Sequence, residues 1–181
     1  LHLGDNISTD FISPAGARAL PFRSNIPKIA EFTFDKMDAN YSATTRSDAS
    51  RGHYHAIVAG HNYGQGSSRE HAAIAPQYLG LRLVIAKSFA RLHWQNLINS
   101  SVLPLVFSDE QDWKKLQTGD RLVVENVHKL LHEGSSKILL TVSNKNIMIP
   151  LKLTASERQR QILLAGGYIN WIKNKHRFRR L

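Results

Sequence analysis

Apolar residues are distributed along this chain in two distinct ways. In its middle third, short apolar runs stand between polar or glycine-rich stretches: residues 55–59 (His-Ala-Ile-Val-Ala), 81–86 and 103–107. Short apolar runs bounded by such breakers read as buried strands. Between them the spacing turns helical. Phe89, Leu92 and Leu97 share one face of a helix over residues 89–99, and a second helix is expected to open at Ser67-Ser68-Arg69-Glu70, with Pro76 limiting its length. Strand, loop, helix, strand, helix, strand is the order of a small α/β unit with parallel pairing. Further on, residues 121–127, 137–142 and 147–153 read as antiparallel strands, the last two joined by a hairpin turn at residues 143–146. Thr154 to Glu157 offers a capping box for a final helix, which Gly166-Gly167 should interrupt. The first fifty residues, punctuated by Pro14, Gly16, Pro21 and Pro27 and ending in the polar stretch 42–52, are expected to be rich in loops. No internal repeat is visible.

Composition narrows the picture. A chain of 181 residues, 42% hydrophobic and 21% charged, is one globular domain of ordinary size. No apolar run is long enough to span a membrane, and the opening Leu-His-Leu-Gly-Asp-Asn is not a signal peptide, so a cytoplasmic protein without membrane association is expected. The opening lacks a Met, as in a fragment or one part of a larger enzyme. With no cysteine, the chain has no disulfide, no thiol nucleophile and no means of holding an iron–sulfur cluster through its own thiolates. The formal net charge is +10, and Lys173, Lys175, Arg177, Arg179 and Arg180 concentrate half of it at the end of the chain. Such an ending reads as a solvated terminus, with RNA contact as the alternative. The predicted division is residues 1–155 as the main domain and 156–181 as a C-terminal helix and basic tail.

Residues 62–71, Asn-Tyr-Gly-Gln-Gly-Ser-Ser-Arg-Glu-His, concentrate the candidate chemistry. Gly64 and Gly66 allow a ligand close to the backbone. The start of a helix favours an anion, and Arg69 adds a planar fork of donors suited to a carboxylate. Ser67 is placed where a positive environment would stabilise its alkoxide. The same residues also fit plain helix capping, Ser67 pairing with Glu70. His53, His55 and His61 have a spacing that can hold a metal, but no acid or cysteine nearby completes a ligand set, so no metal site is assigned. Lys87 and Arg91 read as surface residues and the three tryptophans as packing residues.

Residues 64–71 followed by Ala-Ala-Ile-Ala-Pro-Gln-Tyr-Leu-Gly, together with Ala86-Lys87-Ser88-Phe89-Ala90-Arg91-Leu92-His93, resemble the aconitase superfamily. So do Gly4-Asp5-Asn6-Ile7-Ser8-Thr9-Asp10, Ile12-Ser13-Pro14-Ala15-Gly16 and Phe22-Arg23-Ser24, in the family's order over nearly the whole chain. The resemblance implies an α/β fold, the swivelling β/β/α domain with a mixed sheet flanked by helices. It implies that this domain closes over a [4Fe–4S] cluster held by other domains or a partner subunit, and that the chain is inactive without them. The implied activity is aconitate hydratase, interconverting citrate and isocitrate through cis-aconitate. Ser67 matches the catalytic serine that takes the substrate proton, Ser68, Arg69 and Arg23 match carboxylate-binding residues, and Thr9 and Asp10 match supporting positions. Phe11 departs from the His common after the Thr-Asp pair. The alternatives are the small subunit of a related isopropylmalate or homoaconitate hydro-lyase, and an RNA-binding relative.

Overall fold

The computed structural model describes residues 1–14 and 16–177. Six strands, β1 (His55–Ala59), β2 (Leu81–Ala86), β3 (Leu103–Phe107), β4 (Leu122–Val123), β5 (Lys137–Val142) and β6 (Ile147–Lys152), form one mixed sheet in the order β1-β2-β3-β6-β5-β4. β1, β2 and β3 are parallel, because each is joined to the next by a helix that returns the chain to the same end. Those helices are α4 (His71–Tyr78) and α5 (Arg91–Asn99). β6 pairs antiparallel with both β3 and β5, and β4 adds antiparallel to β5. The expected architecture, a mixed sheet flanked by helices, is therefore present. The remaining helices are α1 (Thr9–Ile12), α2 (Ile26–Ile29), α3 (Tyr41–Ser50), α6 (Val127–His132), α7 (Glu157–Leu164) and α8 (Tyr168–Arg177).

The period of two along the parallel strands explains why both faces of the sheet are covered. Ile57 and Ala59 of β1, with Val84 and Ala86 of β2, face a core that includes α4 and Phe34. Val58 and Ile85, one residue out of step, face a second core with Leu105, Leu140 and Ile162. Each fully buried Val, Leu or Ile among them stabilises the fold by roughly 1.5–3 kcal/mol. α4 meets the sheet through Ala72, Ala73 and Ala75, all fully buried. Side chains this small let the helix lie close to the sheet.

Several local expectations change. The polar stretch 42–52 is not a loop, because α3 occupies most of it. Tyr41 is buried against Phe34, ring centroids 5.1 Å apart, and the Thr45 hydroxyl donates back to the Tyr41 carbonyl at 2.7 Å. The strand expected at 121–127 pairs only at Leu122 and Val123. Asn126 then takes a left-handed conformation, φ 53°, and α6 begins. The final capping box is Ser156 with Gln159, two residues beyond the expected pair, and Gly166-Gly167 separates α7 from α8 as expected. Lys173 and Lys175 of the basic ending lie on α8, Lys175 over the Trp171 ring at 4.0 Å, whereas Arg179 and Arg180 fall outside the described residues. Among the described residues no helix is long and apolar enough to cross a membrane.

Candidate active site

The loop after β1 lies at the carboxyl end of the parallel strands, where open α/β sheets place their ligands. A second segment brings distant residues to it. Residues 3–9 run beside β1 and then beside the loop. Leu3 N–H donates to the Val58 carbonyl at 2.7 Å, Gly60 N–H to Gly4 at 3.0 Å, Gly64 N–H to Ile7 at 2.7 Å, and Thr9 N–H to Gln65 at 2.8 Å. This zipper needs close backbone approach. A β-carbon on Gly60 would stand 1.9 Å from Asp5 Oδ1, the atom that accepts the His61 N–H.

The zipper ends by delivering Thr9 and Asp10 to the serine loop. The Ser8 side chain caps α1 by accepting from Phe11 N–H at 3.0 Å, and this fixes the direction of the next two residues. Thr9, 2% exposed, donates its hydroxyl to the Ser67 carbonyl at 2.9 Å. Asp10 Oδ1 accepts from Arg69 Nη1 at 2.6 Å, and Lys36 Nζ stands 3.8 Å from the other carboxylate oxygen. Arg69 is 25% exposed, so it is held in place while still open to a ligand. As a half-exposed ion pair, Asp10–Arg69 contributes only about 0–1 kcal/mol to stability; what it fixes is the aim of the guanidinium.

The capping role that Ser67 and Glu70 also fit is not what the structure contains. α4 begins at His71, its N-cap is Glu70, and no side chain caps it. Ser67 and Ser68 therefore precede the helix as exposed loop residues. The uncapped helix end leaves backbone N–H groups and a partial positive charge facing the loop. Pro76 sits inside α4 and does not end it; the helix closes at Leu79 with Gly80 at φ +99°. Ser67, Ser68 and Arg69 border a cavity of about 180 Å³ with Thr9, Arg91 and His93. Arg91, read from sequence as a surface residue, thus supplies a second cation at this cavity.

Arg23 is positioned differently. Its backbone is tied to the site, because His71 Nε2 donates to the Arg23 carbonyl at 2.7 Å. Its side chain is exposed and makes no hydrogen bond or ion pair among the described residues, and it does not border the serine cavity. Besides Arg91, an arginine that shares a cavity with Arg69 is Arg18, in a neighbouring cavity of about 450 Å³ that Asp10 and Lys36 also border. Nothing in the spacing of the sequence separates Arg18 from Arg23; only the turn at residues 16–22 does. Two of the three histidines considered for a metal have separate partners, and among the described residues no group of side chains is arranged to hold a metal ion. His55 Nε2 lies 2.7 Å from the Tyr41 hydroxyl, and His61 lies 3.1 Å from Glu110. With no thiolate anywhere in the chain, these residues do not fit an iron–sulfur cluster, and no cluster chemistry is derived from them.

Fold and site together describe an α/β domain that brings a serine pair and an arginine to one small cavity at the carboxyl end of its parallel strands. The matching family model is the aconitase C-terminal domain, over residues 25–110. A putative mitochondrial aconitate hydratase of Emericella nidulans is 34% identical over 93% of this chain, which spans only 24% of that protein. The 3-isopropylmalate dehydratase small subunit 2 of Archaeoglobus fulgidus is 38% identical over 96% of this chain and 91% of its own length. Among solved structures, a 3-isopropylmalate dehydratase of Methanocaldococcus jannaschii superposes with a TM-score of 0.77 at 30% identity, covering 98% of this chain and 93% of that one. The chain belongs to the aconitase superfamily, as a domain of its C-terminal type.

Proposed function

We propose that this chain is the substrate-handling part of an aconitase-type hydro-lyase, working with a cluster-bearing partner, fused or separate. In this reading Ser67 is the base. As alkoxide it takes the proton from the carbon next to a substrate carboxylate; a hydroxyl leaves the neighbouring carbon and a double bond forms between the two. Addition of water in the reverse direction returns the proton from Ser67. Arg69, aimed by Asp10, pairs with a substrate carboxylate in two-pronged geometry, and Ser68 donates a hydrogen bond to it. Thr9 holds the Ser67 carbonyl so that the hydroxyl stays turned to the cavity. The uncapped start of α4 lowers the cost of the negative charge on Ser67. The leaving hydroxyl is received by groups this chain does not carry, and a [4Fe–4S] cluster in the partner would supply that Lewis-acid chemistry. The observation that carries the reading is the release of Ser67 from capping, beside an arginine already oriented by Asp10.

For the substrate, the isopropylmalate or homoaconitate class is favoured over citrate. The chain matches nearly the whole of an isopropylmalate dehydratase small subunit and of a homoaconitase small subunit. The arginine expected to meet a third carboxylate, Arg23, does not border the cavity, which within this class favours isopropylmalate, a dicarboxylate, over the tricarboxylates. The citrate–isocitrate reading keeps the support of the aconitate hydratase relative. A substrate panel in the assembled enzyme separates them: kcat/KM higher for isopropylmalate or homoaconitate than for citrate supports the first, and the opposite order supports the second.

A further inference from the structure

The reading above leaves an enclosed titratable side chain at the serine cavity without a task. His93, on the first turn of α5, is 2% exposed. Its ring lies directly under Gly64, so close that a β-carbon there would fall 2.1 Å from Cδ2. Tyr63 packs edge-on to the same ring, centroids 5.2 Å apart. Tyr63 is itself pinned to the connection between β2 and α5, its N–H donating to Ser88 at 3.0 Å and its carbonyl accepting from Ala90 at 2.9 Å. Two residues beyond Gly64 the chain turns through Gly66 into Ser67, where Thr9 takes hold of the carbonyl. Ser67 is thereby held directly by Thr9, while the His93 ring packs under the same turn three residues earlier, at Gly64.

Packing alone does not account for a histidine here. Both ring nitrogens are buried with no hydrogen-bond partner among the described residues, and the same is true of Asn96 Nδ2, one turn further along α5. A leucine or phenylalanine would fill the volume without enclosing unpaired nitrogens. Both His93 and Asn96 border the cavity that Ser67 borders. Burial lowers the His93 pKa to about 4, so the ring is neutral at ordinary pH.

We propose that His93 is a positioning residue for Ser67, setting the height of the 64–68 turn from below while its ring nitrogens, with the Asn96 amide, form a polar floor to the cavity. This rests on the reading of Ser67 as the base. The test uses the chain assembled with its cluster-bearing partner, carrying His93→Leu or His93→Gln, with kcat and KM measured for each. Amide hydrogen exchange of residues 64–68 and of β2 is followed in the same proteins. A misplaced base costs turnover rather than binding, so His93→Leu should lose about 100-fold in kcat with KM within about threefold, and His93→Gln should recover to within about tenfold of wild type. Exchange at residues 64–68 should quicken in the leucine variant alone, with β2 unchanged. Wild-type kcat in His93→Leu, or equal losses in both variants, overturns the proposal. Should the wild-type assembly show no hydro-lyase activity, the reading of Ser67 fails instead. The exchange pattern then decides the positioning claim: quickening confined to the leucine variant supports it, and equal exchange in both overturns it.

Discussion

Replacing Gly64 by alanine tests the packing beneath the serine loop, and its cost can be worked from the structure. Gly64 has φ +82°, a conformation that costs an L-residue roughly 1–2 kcal/mol. The added methyl would also stand 2.1, 2.2 and 2.4 Å from Cδ2, Cγ and Cβ of His93. The ring root cannot swing away as a flexible tip could, so either α5 or the loop must move by about an ångström. Overpacking of this kind costs about 1–3 kcal/mol. The sum is roughly 2–5 kcal/mol, read as a lower urea midpoint at unchanged m-value. A double-mutant cycle isolates the contact. In a His93→Gly background all three overlaps, the one with Cβ included, are gone, so Gly64→Ala should cost only the conformational part, and a coupling of about 1–3 kcal/mol should appear. A Gly64→Ala protein within about 0.5 kcal/mol of wild type, or a coupling near zero, would refute the claim that the loop rests on the His93 ring.

Burial lowers the pKa of both His55 and His93 to about 4, so the unfolded chain binds protons that the fold does not; stability is full above the ordinary histidine pKa and falls as pH drops towards 4. About 2 kcal/mol per histidine should be lost between pH 7 and 5, and a flat urea midpoint over that range would contradict it. Arg69→Lys keeps the charge but loses the two-pronged geometry, so substrate binding should weaken by on the order of 1.5–3 kcal/mol, as measured by KM and inhibitor affinity. Arg23→Ala should leave kcat/KM for isopropylmalate within about twofold, as for a surface change. A large loss confined to citrate would restore Arg23 to the tricarboxylate role.

Much of this fold was legible because buried parallel strands are short apolar runs with abrupt edges. β1, β2, β3 and β5 occur at the residues that the hydrophobic pattern marks. What failed to show was structure stabilised by tertiary contacts. α3 carries few apolar residues and rests on Tyr41 and Thr45, so its sequence looks like a loop. α6 follows a left-handed Asn126 that no periodicity announces. The serine loop stood out through its glycines. Thr9 and Asp10 are linked to it by family resemblance and not by any local pattern, since Thr9 and Ser67 lie 58 positions apart and the folded backbone zipper brings them together. His93 was hidden for a related reason: its place depends on a contact with Gly64 in another segment. Arg23 and Arg18 are equally plausible as sequence, and one tight turn distinguishes them.

The central claim is that Ser67 performs chemistry and does not merely shape a helix start. The direct measurement is Ser67→Ala in the chain assembled with its cluster-bearing partner, with kcat and KM determined for the preferred substrate. A base acts in the transition state, so kcat should fall by roughly a thousandfold or more while KM changes by only about threefold. Near-normal turnover, with any loss confined to thermal stability, would contradict the account.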